Sequence, residues 1–592
     1  MTPERASFDR EVSTILRHWM QYDMVERVGQ TIKYTNPQAK HNATQPHMKI
    51  CGGAGPFRAV ASRPFLVSLY RSELMHQALL VPEVVLEIFG HVNSQIFPLS
   101  PSGEILLAQK LVAQKSMAAL AMTCKTFHEP AMDFLWAVIY GLEPLLGCVT
   151  RLHPVIYSIG RKYPSGWSSR GVKPLYEDEA GQFLRHAVRV RSIFIKSNDH
   201  FHLLSVIPVK TCVFPRMQSL HLETSTDRYL DLFLSPTLHR CSISVIDSGL
   251  KRIATHCAAL KDLFITSFSH TTRDERSLLS DSVCLCTQLV NLCCPELSWE
   301  AWRHLSNLST LLNVVVYEMH SATLSTWSLE PDIVNLSPFL NVKSLSLSLN
   351  GGCIIAIMKH SVFPSLETFS GNSGVMSSAE AEQLLCALSQ CKACQTLERI
   401  TIRLSRGGPQ DFPGSSLRPI TQLLCFAQLR TLRLHFPDSS IYVDDDLLLK
   451  AASSWPHIRT LQIEGPYHHA ATITFRGLFA ALRQCPHLHT LQFLIDAANT
   501  DIDLDAKPLH SLQILDLTIT SHIADAKAVA HIIFSMLPCV DRVSKSMQVW
   551  HEVNTYLTRF KASALLAISP GVEADRPRLE DPPQPGVAKA SE

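Results

Sequence analysis

One short pattern recurs along most of this chain and limits what it can fold into. An apolar residue is followed three and five positions later by two more. The middle residue of the pattern falls at Ile193, Leu220, Cys241, Leu263, Leu292, Val315, Leu345, Phe369, Ile400, Leu432, Leu461, Leu491 and Leu515, at intervals of 21 to 32 residues. The text reads "MQSLHL", "LKDLFI", "VKSLSL", "LERITI", "LRTLRL", "IRTLQI", "LHTLQF" and "LQILDL"; it is least regular at Cys241, Val315 and Phe369. Its last four residues alternate, so each copy predicts a short strand with one face buried and one face out. Helical stretches lie between the copies, among them "SSAEAEQLLCALSQC", "DDDLLLKAASSW" and "TFRGLFAALRQC". Ser377 and Glu380 stand at capping-box spacing ahead of the first of these. A strand–loop–helix unit of this size cannot bury its own apolar face and must stack on its neighbours. At 592 residues the chain exceeds one compact core unless that core is such an array.

The period resembles that of leucine-rich repeats. The fold class predicted is therefore α/β: a small all-helical module followed by a leucine-rich-repeat solenoid over 185–560. Parallel strands would line its concave face and a helical cap would close its C-terminal end. Residues 1–74 read as a poorly packed N-terminal extension. Residues 571–592, "GVEADRPRLEDPPQPGVAKASE", are Pro-rich and polar and read as a disordered tail.

Composition narrows the function classes. Hydrophobic residues make up 46% and charged residues 18%, which suits buried interfaces. A net charge of +2 provides no long-range field for nucleic acid or an anionic membrane. No uncharged apolar run reaches membrane-spanning length, and "MTPERASFDREV" lacks the apolar core of a secretion signal. The seventeen cysteines follow no framework, so reduced thiols acting as small core residues are expected, in an intracellular setting, cytoplasmic and/or nuclear.

The helical module spans 75–150. Pro82 fits a first helical turn, and Val84, Val85, Ile88, Phe89 and Val92 come after it at helical spacing. Met117, Leu120, Ala121 and Phe127 suggest a second packed stretch. Together "VPEVVLEIFGHV" and "LAMTCKTFHEPAMDFLW" resemble the F-box, in the style of basidiomycete fungal F-box proteins. The matching residues are Pro82, Glu83, Ile88 and Phe89, then Leu120, Cys124, Lys125, Phe127, Leu135 and Trp136. Val81 stands where that family usually has Leu, and Glu83 follows Pro82 directly. The stretch between the halves is longer than usual by on the order of fifteen residues. Residues 93–114 therefore read as an inserted loop, with "SPSG" at 100–103 as turn chemistry. "VWHEVNTYL" near the C-terminus also looks like the ending common in these fungal proteins. The resemblance implies docking on a Skp-type adaptor, and through it a cullin, with a protein client of unknown identity held by the repeats.

No enzyme chemistry competes well. Cys391 and Cys394 form a C-x-x-C, with Cys386 and His360 as the nearest further ligands, too few for zinc. Cys284, Cys286, Cys293 and Cys294 cluster in sequence but read as small buried thiols. His468 and His469 read as solvated loop imidazoles. Neither "GNSG" nor "CGGAGP" has the spacing of a nucleophile elbow or a phosphate loop. Asp444, Asp445 and Asp446 suit a helix N-terminus through its dipole. The expectation is no catalytic residue, no metal and no cofactor. The outward strand positions Arg403, Arg433, His435, Gln462, Glu464, Gln492 and Asp516 could read a partner's surface, although a merely solvated sheet face fits any one of them. The reading is a ubiquitin-ligase substrate receptor; the alternatives are a non-degradative interaction scaffold and, less favoured, a metal- or thiol-dependent enzyme.

Overall fold

Pro82 starts helix α1 (Pro82–Ser94), where its missing N–H costs no helical hydrogen bond. Helix α2 (Gly103–Thr123) comes next, and α3 (Lys125–Trp136) is set off from it by the extended backbone of Cys124. The computed structural model describes residues 81–94 and 103–568, apart from short stretches of which 158–166, 319–335 and 408–415 are the longest. The expectations for 1–74 and 571–592 lie outside the described residues.

The predicted loop over 93–114 needs correction, because residues 103–114 form the first half of α2. The turn residues "SPSG" end at Gly103, and the next residues are rich in Leu, Ala, Gln and Lys, which favour a helix. The three helices share a core of Val85, Phe89, Met117, Ala121, Ala131, Met132 and Leu135. The Phe89 ring meets Phe127 and Phe134 edge-on, with centroids 5.6 and 6.2 Å away.

Only Ala137 separates α3 from the first strand. The chain divides into two compact units, one holding residues up to 268 together with 281–288, the other holding 269–280 and everything from 289. In the first unit β1 (Val138–Tyr140), β2 (Ser192–Ile195), β3 (Ser219–Leu222), β4 (Arg240–Ile243) and β5 (Asp262–Ile265) pair in parallel and in chain order. In the second, the strands are β6 (Asn291–Pro295), β7 (Asn313–Tyr317), β8 (Ser344–Ser348), β9 (Thr368–Met376), β10 (Arg399–Gly407), β11 (Ser416–Leu417), β12 (Thr431–His435), β13 (Ser440–Ile441), β14 (Thr460–Glu464), β15 (Thr490–Ile495) and β16 (Ile514–Ile519). The two-residue strands β11 and β13 pair with each other; the other nine form one parallel sheet in chain order. Strand, connection, helix and next parallel strand, repeated, is a leucine-rich-repeat type of solenoid.

Register explains why the pattern is so legible. Ile193, Leu220, Cys241 and Leu263 are successive cross-strand partners, all buried. So are Leu345, Phe369, Ile400, Leu432, Leu461, Leu491 and Leu515. The unit centred on Val315 is corrected by one residue. Val314 pairs with Leu292 and Leu345 and is buried with Val316, while Val315 lies on the outward face. A slip of one residue reverses every side chain of a strand, and "NVVVY" offers no contrast to prevent it in a reading of the sequence. Strand β1 extends the array by one unit, within the stretch read as purely helical; Ile139 pairs with Ile193.

Polar groups recur at the same place in several repeats. The hydroxyls of Thr237, Thr310 and Thr396 donate to the carbonyls of Met217, Leu289 and Leu366, each in the preceding repeat, at 2.8, 2.7 and 2.8 Å. Helix starts are capped by side chains: Asp247, Asn350, Ser377, Asp444, Thr474 and Asp525 each accept a backbone N–H. Ser377 and Glu380 form the reciprocal capping box that their spacing predicts. At the C-terminal end Val543 bridges to Leu515 of β16, and Asn554 from the helix Trp550–Ile568 both donates to and accepts from the Val543 backbone at 2.8 Å. That helix carries "WHEVNTYL" and packs on the helix Ala526–Met536. Among the described residues no helix is long and apolar enough to cross a membrane.

Candidate functional site

Two surfaces stand out, one in each unit. In the first unit α1 has two apolar sides. Val85 and Phe89 face the module's core and are 2% exposed. Val81, Val84 and Ile88, spaced as one helical stripe, are 43, 37 and 40% exposed; Leu86, on a different side of the helix, is 45% exposed. Pro82 and Glu83 are also exposed. An Ile–Phe pair on a helix points in two directions about 100° apart, so one residue can pack inside while the other is offered outward.

The residues singled out by their F-box resemblance therefore divide. Pro82, Glu83, Ile88 and Lys125 lie at the surface; Leu120, Cys124 and Phe127 are half-buried; Phe89, Leu135 and Trp136 are core. Trp136 stacks on His186 of the helix Glu177–Ala187 with centroids 4.6 Å apart. Burial there pushes the His186 imidazole down to about 4, so the stacked ring is neutral at physiological pH. Arg189 clamps the junction from the repeat side, bonding Asp133 at 2.5 Å and Glu129 at 2.6 Å. The hydrogen bond from Arg189 holds the Glu129 carboxyl below its usual range. The Ala137 carbonyl accepts from Arg191 and Ser192 at 2.9 and 2.8 Å. Trp136 thus fixes the helical module to the first repeats.

In the second unit the outward residues of the sheet form rows, because parallel register puts equivalent positions side by side. Thr401, Arg433, Gln462, Gln492 and Asp516 are consecutive partners, and so are Arg403, His435 and Glu464. All seven strand-face candidates thus fall in two adjoining rows. Two contacts link them: Nδ1 of His435 and Oε2 of Glu464 are 2.5 Å apart, and Nε2 of Gln462 donates to Oε1 of Gln492 at 3.2 Å. Arg399, a further outward residue on β10, was not singled out from the sequence. It is the first residue of its strand, where an outward position is hard to tell from the preceding turn.

Elsewhere polar chemistry is spent inside the fold. Asp444 caps its helix by accepting from the Leu447 N–H at 2.8 Å, and Asp445 accepts from both the N–H and the hydroxyl of Thr474 at 2.9 and 2.7 Å. Asp445 leaves no room for a side chain at Gly477, where a Cβ would stand 2.0 Å from it. Cys391 is buried, and Cys394 donates to the Ser389 carbonyl at 3.6 Å. Burial pushes the Cys391 thiol up to about 11 and the Cys286 thiol up to about 12, and it raises Cys293 and Cys294 as well, away from reactive thiolates. Cys294 points inward and Cys293 outward. Ser373 of "GNSG" is a buried strand residue whose hydroxyl donates to the Val375 carbonyl at 2.9 Å. Glu296 is a buried carboxyl, raised to about 7 by burial against the pull of Arg276, 3.1 Å away. Among the described residues no group of three or more His, Cys, Asp or Glu is placed to hold a metal ion. "CGGAGP", His468 and His469 lie outside the described residues.

No family model matches the chain. No curated protein matches it. Among solved structures, an internalin (inlF) from Listeria monocytogenes is similar over 62% of this chain and 89% of its own, at 11% sequence identity and a TM-score of 0.29. At that identity and score, the repeat fold is read from this chain's own strand pairing.

Proposed function

We propose that the chain is the substrate-recognition subunit of a Skp–cullin–F-box ubiquitin ligase, of the fungal F-box type. The α1 surface takes a Skp-type adaptor, the adaptor brings a cullin, and the strand face of the second unit holds a protein client. The observation that carries this reading is the exposed stripe of Val81, Val84 and Ile88 on a helix whose other apolar side is already filled by the module's core. A contiguous apolar patch on an aqueous surface marks a partner site, and the stripe falls within the segment that resembles an F-box. The chain works inside the cell, in cytoplasm or nucleus, and brings no active site of its own; ligation is performed by the assembly. Open strand faces of repeat solenoids commonly bind proteins, which suits the polar rows of the second unit to a client.

A non-degradative scaffold would use the same two surfaces, so adaptor binding does not separate the two readings. Reconstitution does. The purified chain, adaptor, cullin–RING core and ubiquitin-charged conjugating enzyme are combined with proteins captured on the chain from cell extract. The receptor reading expects captured proteins to be ubiquitinated only when adaptor and chain are both present. Capture with no adaptor-dependent ubiquitination would leave the scaffold as the correct reading.

A further inference from the structure

We infer that the outward face of β10 and β12 is built for an extended acidic segment of a partner protein, one carrying carboxylates at alternate residues. This rests on the client-binding half of the proposed function and specifies what the client offers.

Three exposed arginines meet there, Arg399 and Arg403 on β10 and Arg433 on β12. Arg433 is the cross-strand partner of Thr401, so along the strand direction the three stand at successive two-residue steps: Arg399, then Arg433 beside Thr401, then Arg403. None has an ion pair among the described residues. The carboxylates nearest in the register are already engaged: Glu367 with Lys343 at 2.9 Å, Glu398 with Arg430 at 3.4 Å, and Glu464 with His435 at 2.5 Å. On the β9 side the neighbours are neutral, Ser370 beside Thr401 and Asn372 beside Arg403.

Like charges on adjoining strands repel, and among the described residues no ion pair offsets them. An anionic ligand would remove that repulsion and gain charge-assisted hydrogen bonds from planar guanidinium forks. The spacing selects the ligand. Arg399 and Arg403 are four residues apart, about 13 Å along a strand. Side chains that stand off the sheet at that spacing face two separate anionic groups, and would have to lean together to share one phosphate. An extended peptide repeats its side chains on one face every second residue, about 6.7 Å, which matches the step from Arg399 to Arg433 to Arg403. Neutral amides and hydroxyls around the arginines can hydrogen-bond a peptide backbone without competing for its charge.

The test uses the full-length chain and three short labelled peptides: one alternating Glu with Ser, its Gln–Ser counterpart, and a Gln–Ser peptide with a single phosphoserine. The Glu–Ser peptide is expected to bind about tenfold or more tightly than the Gln–Ser peptide, with the advantage shrinking as salt rises. Arg433→Gln, which removes the charge and keeps a polar side chain, should weaken Glu–Ser binding several-fold, and Arg399→Glu about tenfold or more. Thermal melts alongside show that both variants fold. Equal binding of the Glu–Ser and Gln–Ser peptides, or none of the Glu–Ser peptide, would overturn the inference, and tighter binding of the phosphoserine peptide would overturn its choice of carboxylates. Adaptor capture by the same preparations reports on the receptor reading separately, so either proposal can fail while the other stands.

Discussion

Replacing Trp455 by Ala is expected to destabilise the second unit severely. The indole is fully buried at the end of the helix Asp445–Ser454, and its Nε1 donates to the Leu423 carbonyl in the preceding repeat at 3.1 Å. Truncation removes the largest side chain at that junction, a loss of about 3–5 kcal/mol. It also removes one of two hydrogen bonds to the Leu423 carbonyl, which keeps the Phe426 N–H at 3.2 Å, and this costs about 1 kcal/mol more. In a repeat array each unit is held by its neighbours, so the damage concentrates between the repeats on either side. Hydrogen exchange should rise first around Leu423 and β14, and the thermal transition should move down. Trp455→Phe keeps most of the volume and loses only the hydrogen bond, a cost nearer about 1 kcal/mol. If Trp455→Ala melts with the wild-type chain, stacking of neighbouring repeats is not what stabilises this unit.

The second large effect is expected at Phe89, and it concerns folding and not docking. Phe89 is enclosed by Val85, Phe127 and Phe134, so Phe89→Ala should cost the helical module about 3–5 kcal/mol. A module of three helices has little stability to spare. Limited proteolysis should therefore cut within 81–136 in the variant while the second unit stays intact. Ile88→Ala, one residue away, removes a side chain that is 40% exposed and should change stability by less than about 1 kcal/mol. Equal proteolysis of the two variants would mean that α1 does not sit with Phe89 inward.

That contrast shows how far the sequence could be read. The repeat spacing was legible because a buried parallel sheet imposes the same inward positions on every unit, and Leu at those positions contrasts with the polar residues between. It blurred where contrast was missing: the three consecutive valines of β7 allow a slip of one residue, and β1, only three residues long and one residue past Trp136, is hidden by the helical text before it. The helix over 103–114 was lost because a long gap between two motif halves reads as a loop. The motif match also grouped residues that the fold separates. Ile88 and Phe89 are neighbours in text but lie on different sides of α1, and Leu135 and Trp136 are spent on the core and on the junction with the repeats. The seven polar strand positions fell into rows because alternation and register follow from strand geometry alone. Arg399 was missed because an outward residue at the first position of a strand has no preceding alternation to mark it.

The most direct measurement is capture of a purified Skp-type adaptor by the full-length chain and by a Val84→Asp, Ile88→Asp double variant, with thermal melting of both. Each substitution places a charge on the exposed apolar stripe of α1 and leaves Val85 and Phe89 in place. Burying an unpaired carboxylate against a partner costs several kcal/mol, so capture should fall by about a hundredfold or more while the melting curve stays at the wild-type position. Undiminished capture by a folded double variant, or no capture by the wild-type chain, would contradict the account.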